Sequence, residues 1–205
     1  MMATTHAYLG LAVAILSLPE TARHAPTSTL MAAAFIGGLL PDLDLITDHR
    51  KTLHFPVLLP VGSLVVLALY VIAGHPFLLV LGIVTASAGL HSLTDVCAGG
   101  LGYEPWKHDS QRAVYNHLLG RWHAPRRLVR YSGAPEDFAL ATAFAVPCIR
   151  TSATGPVADR LLLVVLAASG LYAAMRRSLP TIARRLRSRL PSALLDRLPQ
   201  IQFER

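Results

Sequence analysis

Apolar stretches recur along this chain with only short polar breaks between them, and this limits the fold more than any other feature. Six can be drawn, at Thr4–Leu18, Thr27–Leu40, Pro56–Ala73, Pro76–Leu93, Glu136–Ile149 and Pro156–Met175. A bilayer span takes about 17–25 residues, so the third, fourth and sixth have a comfortable length. The first, second and fifth are shorter and read as spans, or as helices shielded by their neighbours or re-entrant. Residues are 53% hydrophobic and 15% charged, whereas a soluble domain carries about 25% charged residues. The surplus apolar surface belongs in lipid. The expected fold is an all-α polytopic transmembrane helical bundle of about six apolar helices, four to six of them true spans. "AAAFIGG" and "GIVTASAG" supply the small residues that let such helices approach closely.

Orientation follows from the basic residues. The Glu104–Pro135 loop holds Lys107, Arg112, Arg121, Arg126, Arg127 and Arg130, and the segment after Met175 holds eight arginines from Arg176 to Arg205. Positive charge marks the cytoplasmic side. Two apolar segments separate these stretches, so both can be cytoplasmic. Counting backward puts the Pro41–Phe55 loop, with Arg50 and Lys51, and the N-terminus there too. The opposite loops carry just Arg23 and Arg150. The first segment has no basic stretch before it and reads as a retained helix. The expectation is a multi-pass protein of the inner or plasma membrane with both termini cytoplasmic. Residues 1–175 form the membrane domain. Residues 176–205 form a basic amphipathic tail, cut by Pro180, Pro191 and Pro199, that suits anionic headgroups. The net charge of +7 does not point to nucleic acid, because the tail has one aromatic, Phe203, and no reader motif. Cys97 and Cys148 form no CxxC and read as small apolar-segment residues. Trp106, Trp122, Tyr115 and Tyr131 read as interface anchors.

This topology brings several ionisable groups to one membrane face: His6, then Asp42, Asp44, His49 and His54, then His91 and Asp95. Ionisable groups at membrane depth are costly and mark functional sites. His91 and Asp95 are four apart and share one helix face, a spacing that suits two ligands on one ion. Asp42 and Asp44 flank a residue after Pro41, where an extended or turn-like backbone lets them meet a shared ion. Imidazole and carboxylate suit Zn²⁺, with Mn²⁺ and Fe²⁺ as alternatives. Arg50 has the geometry for a phosphate. Taken singly, each piece has a plainer reading: a helix-surface pair, a capping Asp, a topology-setting Arg.

"TTHAYLG", "GGLLPDLD", "HRKTLH" and "GLHSLTD" resemble the membrane-bound metal-dependent hydrolase family of polytopic inner-membrane proteins. The family pattern is an N-terminal Thr-His, a Gly-x-x-x-Pro-Asp-x-Asp, a His-Arg with a second His soon after, and a His-x-x-x-Asp on a later helix. The likeness covers Thr5 to about Pro105. It implies His6, Asp42, Asp44, His49, His54, His91 and Asp95 as metal ligands or near neighbours, with Arg50 as the family's Arg. Many members follow His-Arg with Gly and place Thr or Ser around the second His, where this chain has Lys51, Leu53 and Phe55. The ligand types are similar to those of zinc-dependent phospholipase C, which suggests a phosphoester or lipid-like substrate.

The leading expectation is a membrane-bound metal-dependent hydrolase that uses a divalent ion at the cytoplasmic face. Asp44 would be ligand or general base, and Arg50 would stabilise developing charge. The alternative is a non-catalytic membrane protein with a structural metal or ion-pair site and a lipid- or partner-binding tail. A transporter ranks last, because the polar groups gather at one face instead of lining the bilayer depth.

Overall fold

A computed structural model describes residues 1–151, 153 and 155–189. The fold is all-α, with seven helices among the described residues: α1 (Ala3–Thr21), α2 (Thr27–Leu39), α3 (Leu58–Ala73), α4 (Pro76–Thr94), α5 (Pro135–Thr151), α6 (Pro156–Met175) and α7 (Leu179–Arg187). Pro191, Pro199, Arg197, Phe203 and Arg205 of the expected tail lie outside the described residues. A two-residue strand pair, with Tyr115 opposite Trp122, interrupts the long α4–α5 connection.

Among the described residues, three helical stretches are long and apolar enough to cross a membrane: Thr27–Ile46, Pro76–Cys97 and Pro156–Met175, of 20, 22 and 20 residues. The second segment is therefore longer than its apolar run implies. The chain does not break at Pro41 but tightens into a 3-10 helix, Leu40–Ile46, that continues α2. Proline fits there because it sits at the start of the new helix, where its missing N–H is not needed. The third segment is correspondingly shorter. Helix α3 has 16 residues, about 24 Å of rise, against a hydrocarbon core of about 30 Å.

The core gathers Tyr8 and Leu11 of α1, Leu30 and Met31 of α2, Leu79 and Ile83 of α4, Ala141 and Cys148 of α5, and Leu162 of α6. The outward faces remain apolar: Leu64 and Val71 of α3 and Leu161, Val164 and Leu171 of α6 are all exposed. Such surface is tolerated in lipid and penalised in water. Gly74 closes α3 with φ +67, the left-handed cap that glycine adopts without cost, and the chain turns straight into α4. Gly38 serves a different need. A Cβ there would lie 2.7 Å from the His6 carbonyl oxygen and 2.9 Å from Ala7 Cα, so α2 can rest against α1 only without one.

Beyond the apolar body, α7 presents Arg184, Arg185 and Arg187 with Ile182 and Leu186 exposed, an amphipathic surface helix. Trp106 lies beneath the guanidinium groups of Arg176 and Arg177, at 5.0 and 5.9 Å. Tyr131 is not an exposed anchor. It is buried against Trp106, and its hydroxyl accepts from Arg177 Nε at 3.1 Å.

Candidate metal centre

The end of α4, the 3-10 extension of α2 and the loop to α3 converge on four side chains: Asp42, His54, His91 and Asp95. One donor atom from each lies within 4.8 Å of every other. His91 lies in the last turn of α4 and Asp95 opens the 3-10 helix Asp95–Cys97 that continues it, one turn on, as their spacing implies. Asp42 comes from the 3-10 helix, and His54 from the loop 47–57.

The hydrogen bonds fix which atoms face inward. His54 Nδ1 lies 2.8 Å from Asp44 Oδ2, and His91 Nδ1 lies 2.7 Å from the Gly38 carbonyl oxygen. Carboxylate and carbonyl oxygens only accept, so each Nδ1 carries the proton and each Nε2 keeps its lone pair. Both Nε2 atoms are buried without a hydrogen-bond partner. His54 Nε2 is 3.4 Å from Asp95 Oδ2 and 4.0 Å from Asp42 Oδ1. His91 Nε2 is 3.4 Å from Asp42 Oδ1 and 3.7 Å from Asp95 Oδ2. Four electron-rich atoms thus face one another. A tetrahedral zinc with bonds of about 2.1 Å has ligand–ligand edges of about 3.4 Å, so the donor set fits such an ion with little adjustment.

The remaining residues of the sequence motifs surround this group rather than join it. Asp44 is buried, with both oxygens committed: Oδ1 to His49 Nδ1 at 2.8 Å, and Oδ2 to His54 Nδ1 and to the Leu53 N–H at 3.2 Å. The three-residue turn of the 3-10 helix aims Asp42 at His91 and Asp44 at the following loop. His6 stacks on the His91 ring with centroids 3.7 Å apart, its Nε2 lies 3.0 Å from Asp95 Oδ1, and its Nδ1 meets Thr94 Oγ1. His49 is half-buried beside Asp44. Burial pushes its imidazole below the ordinary range, against the Asp44 hydrogen bond, which raises it.

Arg50 turns inward on a backbone with φ +60, uncommon for a side-chain-bearing residue. Its Nη1 donates to the Gly99 carbonyl at 2.9 Å, and its Nε lies 3.1 Å from Asp95 Oδ2. The guanidinium is therefore occupied with Asp95 and is not free to fork onto a phosphate. The Met1 amine also pairs with Asp95.

Sequence reasoning did not single out Asp137, and it read the loop after α4 as a basic cytoplasmic stretch with interface anchors, not as a cover for the site. Asp137 is fully buried at the start of α5, accepting from the Met2 N–H (2.7 Å), Thr5 Oγ1 (2.7 Å) and the Gly133 N–H (2.9 Å). It pins α1 to α5 and does not face the ion group. The position after Pro-Glu in a helix's first turn is its one local signal. The loop covers the site's outer side: Tyr115 N–H donates to the Arg50 carbonyl, and His117 packs on Phe55. Glu104 pairs with Lys107 and Arg184, away from the cluster.

Asp42 is the one member of the four that reaches solvent, with 14% of its side chain exposed. It borders, with His49, a cavity of about 460 Å³ between α1, the 3-10 helix and α6. Family models, curated proteins and solved structures yield no match to this chain.

Proposed function

We propose that the chain is a membrane-bound metal-dependent hydrolase, of the family its motifs resemble, acting on a phosphoester at the cytoplasmic face of the membrane. One observation carries this: two buried imidazoles, each held through Nδ1 by an acceptor, turn bare Nε2 atoms toward two carboxylates. Metal-binding histidines are oriented in this way by their outer partners. Two carboxylates and two neutral imidazoles are donors that suit a divalent cation, zinc best of all. The asymmetry of Arg and Lys supports cytoplasmic termini.

Bound there, such an ion would polarise a phosphoryl oxygen and make water acidic enough to attack near neutral pH. The protein's share is then clear from its contacts. Asp44 holds both His54 and His49 by their Nδ1 atoms. His49, at the cavity wall with Nε2 left to accept, takes a proton from the attacking water. Arg50 and His6 fix the Asp95 carboxylate, so Arg50 acts on the reaction through Asp95. Burial of three of the four ligands keeps bulk water off the centre and strengthens every charge interaction in it.

Elemental analysis of the detergent-purified protein tests this directly. A stoichiometric divalent ion is expected, lost in His91→Ala and Asp42→Ala, together with metal-dependent cleavage of a phosphoester. Full metal in both variants would remove the assignment. A second reading has an observation in its favour: Asp95 is already matched by Arg50, His6 and the Met1 amine, as in an ion-pair knot that ties helices together. A bound ion with no turnover across phosphoesters and esters, or a metal-free protein of undiminished thermal stability, selects that reading.

A further inference from the structure

The cavity that ends on Asp42 and His49 has chemically different ends. Asp42 and His49 form its polar floor. Leu45 of the 3-10 helix and Val165, Ala168 and Tyr172 of α6 line its walls. Val165, Ala168 and Tyr172 recur at helical spacing, so one stripe of α6 faces the cavity. The neighbouring stripe of the same helix, with Val164 and Leu171, is exposed. The cavity stripe and the outward stripe therefore adjoin on α6, and Ala168 and Tyr172 of the cavity stripe are themselves exposed. The hydrogen bonds joining α1 to α6 run through Tyr8 to the Leu162 carbonyl and through Ser169 to Thr4. Arg176 stands behind Ser132, a lining residue: its Nε donates to the Ser132 carbonyl at 3.2 Å, its Nη2 to the Tyr103 carbonyl at 3.1 Å, and its guanidinium lies over Trp106.

We infer that the substrate is a phosphorylated amphiphile drawn sideways from the bilayer, its phosphate on the Asp42–His49 floor and one hydrocarbon chain along the Val165–Ala168–Tyr172 stripe of α6. An apolar wall continuous with a lipid-facing helix suits a chain. A divalent cation held at Asp42 would suit an anionic head. A volume of about 460 Å³ lies in the range, about 300–1,000 Å³, of sites that enclose a small ligand. A water-soluble phosphoester would leave that wall uncovered. The proposal rests on the hydrolase reading for the reaction at the head, while the chain-binding stripe stands on the cavity itself.

The test uses the full-length protein in nanodiscs and a monoacyl glycerol phosphate with a diazirine in its chain. Photolysis and peptide mass spectrometry should place cross-links on Leu45, Val165 and Tyr172. Ala168→Trp, which fills the open side of the stripe, should lower them at least tenfold with the metal content unchanged. Val165→Phe is the second variant and should do the same if Ala168→Trp does not fold. Unlabelled monoacyl glycerol phosphate should compete, whereas glycerol phosphate at equal concentration should not. Cross-links confined to Val164 and Leu171, cross-links unchanged in the filled variant, or equal competition by glycerol phosphate would each overturn the proposal. Cross-links inside the cavity of a protein that holds no metal would sustain the chain site and remove the hydrolase reading instead.

Discussion

Asp44→Asn separates the two roles a buried carboxylate can have beside an ion. Asp44 accepts His54 through one oxygen and His49 through the other. Asparagine keeps one acceptor and turns an amide donor toward one of the rings, so one imidazole loses its partner or flips. A hydrogen bond involving a charged group contributes about 1.5–3 kcal/mol, and each 1.4 kcal/mol is about tenfold in an equilibrium constant. The expected weakening of metal binding is about 10–100-fold, the range found when outer partners of metal-bound histidines are removed. Competition against a chromogenic chelator in detergent measures it, with His54→Ala as the reference for loss of a ligand. Unchanged affinity would mean that Asp44 does not hold His54. A loss as complete as that of His54→Ala would mean that Asp44 binds the ion itself. Either result refutes the arrangement described above.

Gly38→Ala should destabilise the protein by about 1–3 kcal/mol, the cost of overpacking a fitted contact, because its Cβ would press on the backbone of His6 and Ala7; thermal unfolding in detergent, followed with metal content, should show both falling together. Arg50→Ala should cost about 3–5 kcal/mol, as when one partner of a buried ion pair is removed; Arg50→Lys should fall between, restoring charge but not the paired bonds from Nη1 to Gly99 and from Nη2 to Asp95, and equal unfolding midpoints for the three proteins would contradict this. In a background lacking Cys97 and Cys148, a membrane-impermeant maleimide on intact cells should label His75→Cys and should label Asp109→Cys only after lysis; the reverse pattern would invert the orientation.

The ion group was legible to the extent that its geometry is local. His91 and Asp95 share a helix face by spacing alone, and the structure sets them side by side. Asp42 and Asp44 were not separable by that logic, because their divergence depends on the 3-10 winding after Pro41. An alternation that looks like two ligands becomes one inward carboxylate and one that holds histidines. His6 carries the same motif weight as His91 yet stacks behind it, a distinction made by the packing of α1 on α4. Asp137 had no pattern to reveal it: its partners Met2 and Thr5 lie 135 and 132 residues away. The second segment's length was misjudged because an apolar run does not record where a tighter helix takes over from an α-helix, and the third's because Pro56 and Val57 belong to the turn before α3.

Gly38 gives the seam between α1 and α2 a second meaning. Its missing Cβ lets the helices touch, and its carbonyl aims His91. A cation held by His91 would therefore be thermodynamically linked to helix spacing, and linkage runs in both directions. Whatever spreads the pair, such as a thinner bilayer or lateral tension, would then loosen the grip on such an ion, and loading it would draw the pair together. In a bilayer, the same few atoms would make the ion's affinity a gauge of membrane thickness.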